Sequence, residues 1–221
     1  MSKYRYNKYI QLIKPPSPSL NLNSKKIIEL LRIYNNTSKI LDLGCGNRRL
    51  KEYVINFDII KASNIDVVGD AQFLPFSDET FDFIICQALL EHVKNPKVVS
   101  DEIYRILKRG GTVYIEIPFL KGFHADPNDY TRLTLIGIES LLYKFKRFEI
   151  GACIGPFSTL TWWFRKFPTI IFGNTRLLNI VEFISGWFTF WIKYFDILII
   201  RFKNSHILAG GLYYLGEKNT G

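Results

Sequence analysis

The sequence has few cysteines and no long uncharged hydrophobic run near its start, and each absence disfavours a class of protein. Its three cysteines, Cys45, Cys86 and Cys153, are an odd number and lie far apart. A disulfide-stapled secreted scaffold is therefore disfavoured, and the pattern suits a reducing compartment. The first 23 residues contain no uncharged apolar run longer than residues 9–13, so no signal peptide is expected. We therefore expect a cytoplasmic protein.

The composition predicts a globular domain with two basic segments. A length of 221 residues favours one domain, or one with an appendage, and a hydrophobic fraction of 48% argues against disorder. The net charge of +9 is uneven: residues 1–39 carry eight bases and one acid, and residues 156–205 carry six and two. Residues 40–155 carry 14 bases and 16 acids. Such a distribution is typical of proteins that bind nucleic acid or rest on anionic lipid.

Hydrophobic periodicity divides the chain into alternating strands and helices. A proline-rich linker at residues 14–19 precedes a helix at residues 25–34, with Ser24 as its predicted N-cap. Further helices are predicted at residues 96–107, stopped by Gly110-Gly111, and at residues 134–145. Strands are predicted at residues 39–43, 53–57, 65–68, 81–86, 112–117, 148–153 and 207–215. The alternation predicts a doubly wound α/β domain around a parallel sheet.

A glycine loop follows the first predicted strand, in residues 40–47 (ILDLGCGN). Glycines at this point let the backbone approach a ligand at the carboxyl end of the sheet. A dinucleotide fingerprint would need a third glycine where Arg49 stands, and no Gly-Lys-Ser/Thr follows to make a phosphate loop. The acid inside the strand, Asp42, suits a ligand with a positively charged amino end. A tight strand–helix turn without a ligand is the structural alternative.

Two more acids follow the next two strands. Asp58 ends the second strand, where a carboxylate accepts hydrogen bonds from a ribose diol. Asp70 follows the third strand, where it would accept from an adenine amine while the next backbone N–H, that of Ala71, addresses a ring nitrogen. Each acid taken singly has a structural alternative, as a helix cap or a solvated loop residue.

Five motifs occur in order between about residues 38 and 120: residues 41–47 (LDLGCGN), 69–76 (GDAQFLPF), 81–82 (FD), 90–93 (LEHV) and 102–111 (EIYRILKRGG). Together they resemble those of class I S-adenosylmethionine-dependent methyltransferases of the small Rossmann-like type. The resemblance implies a doubly wound, mostly parallel seven-stranded sheet and S-adenosyl-L-methionine as the cofactor. It implies cofactor-binding roles for Asp42, Gly44, Cys45, Gly46, Asp58, Asp70, Ala71 and Gln87. Glu91 and His92 are interpreted as structural.

The chain departs from the family between its first two strands. Gly44 and Asp58 lie only 14 positions apart, where the family usually has several more. The connection therefore has room for about one helical turn, which widens access near Arg48 and Arg49 and makes the assignment of Asp58 weaker than that of Asp70.

The segment after the fifth strand, residues 118–132, carries the candidate catalytic residues. His124 could take a proton from an attacking hydroxyl, and Asp126 could orient it. A metal site through His124, Asp126 and Asp129 is the rival interpretation, although methyl transfer needs no metal. A loop pinned by an Asp129–Arg132 pair is the structural alternative. The segment resembles one seen in methyltransferases associated with surface-polysaccharide synthesis.

Residues 155–205 are predicted to form an amphipathic helical insertion between the last two strands, and they hold all four tryptophans. On a helical wheel of residues 181–200, the charges of Glu182, Lys193 and Asp196 fall in one arc of roughly 100°. These charges disfavour a transmembrane helix and favour a helix in the membrane interface, anchored by tryptophans and basic residues. A helix buried against a partner, as in a homodimer, is the alternative.

The predicted organisation is a basic arm (residues 1–23), a cofactor-binding core (24–154), the insertion (155–205) and a final strand with tail (206–221). We expect O-methylation of a sugar or lipid-linked small acceptor, on the inner face of the membrane if the insertion binds anionic lipid. A quinone or other lipid methyltransferase is a second enzyme hypothesis, and a cofactor-binding scaffold is a non-enzymatic one. No nucleic-acid partner is expected, because the core is mildly acidic and has no Asn/Asp-Pro-Pro-Tyr/Phe motif.

Overall fold

A seven-stranded sheet forms the centre of the computed structural model, which describes residues 14–34, 36–125, 128–173 and 176–220. The strands are β1 (Ile40–Leu43), β2 (Val54–Asp58), β3 (Val67–Val68), β4 (Phe81–Gln87), β5 (Leu107–Pro118), β6 (Phe145–Ile154) and β7 (Gly211–Lys218). Their order is β3-β2-β1-β4-β5-β7-β6, with parallel pairing from β3 to β5. Strand β7 runs antiparallel to β5 and β6. The predicted seven-stranded, mostly parallel, doubly wound sheet is confirmed.

Helices cover both faces of this sheet. Successive side chains of a strand point to opposite faces, so a strand that is apolar throughout needs a packed layer on each side. Helix α1 (Ser24–Ile33) packs Ile27 and Leu31 against a cluster that includes Ile40 of β1. Leu41, the next residue of β1, belongs to the larger cluster on the other face, which also contains residues of α2 (Pro96–Ile106) and α3 (Leu135–Leu141). The carboxyl ends of β1, β2 and β4 are therefore held between two packed layers.

Helices connect β6 to β7: α4 (Pro156–Phe172), α5 (Arg176–Thr189) and the short α6 (Asp196–Ile199), with 3-10 turns at Ile192–Phe195 and Ser205–Leu208. The carboxylate of Asp196 accepts the backbone N–H groups of Phe157 and Ser158 at 2.8 and 2.9 Å, which satisfies free donors at the start of α4. Arg165 of α4 donates to the carbonyl of Gly186 in α5 at 2.8 Å. Within the described ranges, no helix combines the length and apolarity that crossing a bilayer requires.

The wheel drawn for residues 181–200 assumed one helix, and the structure corrects it. Helix α5 ends at Thr189, and a 3-10 turn separates it from α6. Lys193 and Asp196 are also buried, at 5% and 0% exposure, because each has an internal hydrogen-bonding role. The ammonium of Lys193 donates to the Ser17 carbonyl at 2.6 Å, and Asp196 binds the start of α4. These two charges therefore face the interior, and solvent meets mainly apolar side chains.

The described part of the N-terminal arm, predicted as an extended proline-rich linker, contacts the rest of the fold. It contains no helix over residues 14–23, as expected, but it packs along the connection between β6 and β7. The backbone N–H of Leu20 donates to Ser158 at 2.9 Å, and Arg165 donates to the Pro16 carbonyl at 2.6 Å. Buried cations that need acceptors hold this segment in place. Residues 1–13 lie outside the described residues.

Several predicted boundaries move, each for a local reason. Gly110-Gly111 does not stop α2: the helix ends at Ile106, and buried Leu107 already pairs with Phe81 as the first residue of β5. Gly110 adopts φ +71 inside the strand, where the register shifts.

The remaining differences concern element ends. Asn23, not Ser24, is the N-cap of α1, and the Ser24 hydroxyl donates to the Asn21 carbonyl. Helix α3 ends at Leu141 because Phe145 turns into the core as the start of β6. The last strand begins at Gly211, since the chain before it forms the 3-10 turn Ser205–Leu208. Strand β6 begins three residues earlier than predicted and β7 ends three residues later, whereas β1 to β4 are confirmed within two residues.

Candidate functional site

The glycine loop at the end of β1 needs its glycines. Gly44 and Gly46 adopt φ +73 and +56, in the left-handed region. A Cβ on Gly44 would come within 2.9 Å of the Leu89 side chain, so the strand and the turn after β4 could not approach as they do. A Cβ on Gly46 would meet nothing within 4 Å, so this side of the loop is open. The backbone of the loop is therefore accessible on that side.

A cavity of about 490 Å³ opens beside this loop, here called the glycine-loop cavity. It brings together five of the eight predicted cofactor residues: Gly44, Gly46, Asp58, Asp70 and Ala71. These residues come from the ends of three strands, which meet at one edge of the sheet because the strands are parallel. The sequence reasoning thus placed them correctly at one edge, and their roles there stay predictions.

Backbone hydrogen bonds position both acids of the glycine-loop cavity. One oxygen of Asp58 accepts the backbone N–H of Gly46 at 2.8 Å, and the other accepts that of Ile60 at 3.1 Å. Asp70 accepts the backbone N–H of Gln72 at 2.9 Å. An ionised carboxylate has about four lone-pair sites, so each acid keeps acceptor capacity for a ligand.

Asp42 is placed differently from the other predicted cofactor residues. Its side chain is fully buried, pairs with the Arg48 guanidinium and does not line the glycine-loop cavity. Arg48 donates to the two carboxylate oxygens at 3.0 and 2.5 Å and also contacts the side-chain oxygen of Gln87. Burial raises the pKa of Asp42, and the charge of Arg48 opposes that rise.

Arg48 is a candidate functional residue that the sequence did not identify. It was mentioned only because the short connection after β1 widens access to the site near it. The signal that could have identified it is a base six positions after the acid of the predicted buried strand, which needs a partner.

A second cavity of about 420 Å³ adjoins the first and is here called the polar cavity. Gly44, Ala88 and His92 line both cavities. Ala88 has φ +53, a strained conformation for a residue with a Cβ, and its backbone N–H donates to the Glu116 carbonyl at 3.0 Å. A strained residue at the junction of two cavities is typical of a functional site.

The two other predicted cofactor residues, Cys45 and Gln87, line the polar cavity. Burial raises the pKa of the Cys45 thiol to about 11, so it stays protonated and inert at neutral pH. Gln87 donates to the carboxylate of Glu116 at 2.7 Å. Glu116 also accepts from the Tyr114 hydroxyl at 2.5 Å and from Asn21 at 2.9 Å, and this network fixes the orientation of Gln87.

His124 lines the polar cavity, and its ring lies 6.0 Å from that of His92. Its backbone N–H donates to Asp129 at 2.7 Å, and Arg132 forms an ion pair with Asp129 that lowers the pKa of this acid. The predicted Asp129–Arg132 pair is therefore confirmed, and it pins the loop that carries His124.

Asp126 lies outside the described residues, so its orienting role stays a prediction. Over the described ranges, no three His, Cys, Asp or Glu side chains gather into a metal site. The metal hypothesis also depends on Asp126, so it too stays untested.

Glu91 is a second candidate that the sequence reasoning missed, since it was interpreted as structural. It lines the polar cavity at 3% exposure, and its Oε2 has no hydrogen-bond partner among the described residues. Burial raises the pKa of Glu91. Lys121 lines the same cavity, and burial lowers its pKa. The polar cavity thus holds an acid and a base whose charged forms are both disfavoured by desolvation.

Comparisons with known proteins agree with this geometry. Residues 41–115 match the family model described as a methyltransferase domain. An uncharacterised protein of Methanocaldococcus jannaschii is 35% identical over 104 residues, which are 42% of this chain and 51% of that protein. A ubiquinone biosynthesis O-methyltransferase of Pseudomonas entomophila is 30% identical over 147 residues, covering 52% of this chain and 61% of that enzyme. The chain thus spans roughly half to three fifths of these curated relatives.

The solved structures show the same fold. A putative methyltransferase from Bacillus halodurans superposes with a TM-score of 0.56 at 16% identity, covering 89% of this chain and 100% of that one. The strand order and this superposition show a Rossmann-like methyltransferase fold, and within it residues 41–115 are similar to a methyltransferase domain.

Proposed function

We propose that this protein transfers a methyl group from S-adenosylmethionine to an oxygen of a small acceptor. The observation that carries the proposal is the pair of adjoining cavities that share Gly44, Ala88 and His92. One cavity contains glycines and acids suited to a nucleoside, and the other contains titratable side chains suited to an acceptor. A transferable group at their junction would face the acceptor directly, and such positioning supplies much of the rate in group transfer.

The residues of the glycine-loop cavity fit the cofactor chemically. Asp70 would accept from the adenine amine, and Asp58 would accept from the ribose hydroxyls through lone pairs that its backbone bonds leave free. Arg48, held by Asp42, lines the adjoining polar cavity, where its guanidinium would bind the methionine carboxylate. When bound, S-adenosylmethionine supplies an electrophilic methyl group.

On the acceptor side, His124 is the proposed base. A ring nitrogen of His124 would take the proton of the acceptor hydroxyl, and the Asp129–Arg132 pair holds the loop in place. The Oε2 atom of Glu91, which has no partner among the described residues, would accept a hydrogen bond from a second polar group of the methyl-accepting molecule. Such a bond would offset the free-energy cost of leaving a buried polar atom unpaired.

A sugar or lipid-linked small molecule is the proposed acceptor. A quinone-like ring is the second candidate, and its support is the similarity to a ubiquinone biosynthesis O-methyltransferase over about half of this chain. Both acceptors offer a hydroxyl, so the proposed role of His124 is the same for either.

Action at a membrane surface is part of the proposal. Large apolar side chains of the segment between β6 and β7 are exposed, among them Ile170 at 80%, Phe188 at 75% and Trp191 at 52%. Lys193 and Asp196 of the same segment point inward. An exposed aromatic surface next to basic residues suits the interface of an anionic membrane.

Binding of S-adenosylhomocysteine tests the function. Calorimetry on the full chain should show saturable binding. If the chain binds neither this product nor S-adenosylmethionine, the proposed methyltransferase function is refuted. Labelled S-adenosylmethionine should then transfer its methyl to a lipid extract or to sugar-linked lipids of the source cell. Label in the quinones of the lipid extract would favour a quinone-like acceptor, and label in the sugar-linked lipids would favour a sugar.

A further inference from the structure

A third cavity lies beside the polar cavity and is here called the apolar cavity. Its volume is about 720 Å³, within the range of about 300–1,000 Å³ typical of ligand sites. Its walls are mainly apolar side chains of α4 and of residues 199–208, among them Phe157, Leu160, Trp163 and Phe202. Water gains few hydrogen bonds in such a space, so an apolar ligand would be favoured there.

The apolar and polar cavities share two chain segments. Leu120 and Leu208 line the apolar cavity, and Lys121 and Gly211, one and three residues further on, line the polar one. The backbone N–H of Leu120 donates to the Ala209 carbonyl at 3.2 Å, which joins the segments. A molecule with an apolar part in one cavity would therefore have its polar part close to the other.

Consecutive tryptophans of α4 serve the two cavities. Trp162 lines the polar cavity and packs on Gly122, where a Cβ would come within 2.4 Å of its ring. Trp163 lines the apolar cavity, and its indole N–H donates to the Leu120 carbonyl at 3.1 Å. Because that donor is satisfied, the Trp163 ring offers the apolar cavity only hydrocarbon surface.

Charge around the apolar cavity favours an anionic ligand. Phe202, which lines the cavity, is 68% exposed and lies between two exposed cations, Arg201 and Lys203. Residues 156–205 contain two acids: Glu182 pairs with Lys166 at 2.9 Å, and Asp196 is buried. Arg201 and Lys203 therefore place positive charge on either side of Phe202, and the two acids of residues 156–205 are paired or buried.

We propose that the apolar cavity binds the hydrocarbon chain of an anionic, lipid-like methyl acceptor whose reacting group lies in the polar cavity. The inference rests on the proposed methyltransferase function and specifies its acceptor class. The occupant is the chain of the acceptor itself, because neighbouring residues of the same segments line this cavity and the site that would hold the reacting group.

Quenching of tryptophan fluorescence by 9,10-dibromostearate tests this assignment on the full chain. The probe is an anionic long-chain acid whose bromines quench indoles on contact, and it is used below its critical micelle concentration. Saturable quenching is expected, and Trp163→Phe should remove most of it. Leu160→Glu places a charge in the cavity and should weaken the apparent affinity at least about tenfold.

Ile170→Glu is the matched control, because Ile170 lies on the same helix, is 80% exposed and does not line the cavity. Equal weakening in both variants, or quenching only by brominated lipid in phosphatidylglycerol vesicles, would mean surface adsorption and overturn the inference. Tighter probe binding after removal of residues 1–13 would mean that this segment occupies the cavity, and would also overturn it.

Calorimetry with S-adenosylhomocysteine separates this inference from the proposed function. Leu160→Glu should keep the affinity of the unaltered chain for that product. Binding of the product without binding of dibromostearate would leave the methyltransferase proposal standing and would refute the proposed acceptor class. Binding of dibromostearate without binding of the product would refute the methyltransferase proposal. It would also refute the role of the apolar cavity as an acceptor site, because that role depends on the function.

Discussion

Arg48 holds the buried carboxylate of Asp42 with two nitrogens of its guanidinium, at 3.0 and 2.5 Å. Asp42 is fully buried, whereas Arg48 reaches the polar cavity. The ligand-facing member of this pair is thus the base, and the acid fixes its orientation. For a cofactor with an amino-acid end, this arrangement offers a site for the carboxylate.

Arg48→Ala should therefore weaken binding of S-adenosylhomocysteine by about 1–3 kcal/mol, the value of a charge-assisted hydrogen bond. Methylthioadenosine lacks the amino-acid end, so its affinity should not change. Calorimetry with both ligands makes the comparison. Equal losses for the two ligands would place the effect in the fold of the glycine loop and not in recognition of the carboxylate.

The same substitution should change the pH dependence of stability. Burial raises the pKa of Asp42 above its ordinary value of 3.8, and Arg48 opposes that rise. Without Arg48 the pKa rises further, and the folded state then takes up a proton more readily than the unfolded state does. Removing one partner of a fully buried pair costs about 3–5 kcal/mol, and the 34% exposure of the Arg48 side chain reduces that cost. The variant should therefore be less stable than the parent by about 2–4 kcal/mol at about pH 7.5, with a smaller gap at about pH 5. Melting curves at both pH values measure the gap, and a gap that grows in acid would contradict the assignment.

Asp70→Ala should weaken S-adenosylhomocysteine and methylthioadenosine alike, by about 1–3 kcal/mol, because both carry the adenine. This differs from the selective loss expected at Arg48. Asp78→Ala is the control: its carboxylate pairs with Arg105 at 2.8 Å, is largely exposed and does not line the glycine-loop cavity. Unchanged affinity in Asp70→Ala would remove this acid from the adenine site.

His124→Ala should lower turnover by about 10²–10⁴-fold if the imidazole takes the acceptor proton, with the affinity for S-adenosylhomocysteine unchanged. Transfer of labelled methyl to the accepting extract measures turnover. Glu91→Gln keeps the shape of the neighbouring side chain and should lower turnover less. Parent-like activity in His124→Ala would mean that His124 has no role as a base. Activity that needs a divalent ion would favour the metal hypothesis.

Membrane attachment should depend on the exposed aromatic residues between β6 and β7. Replacing Trp187 and Trp191 by Ser should reduce sedimentation with vesicles, whereas Phe73→Ser, at a 76% exposed site outside this segment, should not. Binding should strengthen with anionic lipid, by about 1 kcal/mol per cation near the surface, and should weaken without vanishing in high salt.

A salt-resistant dimer that ignores vesicles would instead support the partner-helix alternative. Analytical ultracentrifugation of the full chain distinguishes the two outcomes, because only the dimer changes the sedimenting mass in the absence of lipid.

Local patterns in the sequence were enough to predict the sheet and one edge of the site. Apolar runs bounded by turns predicted each strand, and the glycines and acids after β1, β2 and β3 had to meet because parallel strands end at the same edge. Gly44, Gly46, Asp58 and Asp70 follow from that rule alone, without knowledge of any distant contact.

The tertiary structure decided which side chains the buried charges contact. Arg48 reaches Asp42 only because β1 and its short connection fold back together, and the unpaired oxygen of Glu91 exists only because several segments close around it. The helical wheel placed Lys193 and Asp196 in one charged arc, yet in the fold each contacts a remote segment, the Ser17 carbonyl and the start of α4. Hydrophobic periodicity is a property of neighbours in sequence, whereas a buried charge is stabilised by whichever distant group the fold brings within hydrogen-bond reach.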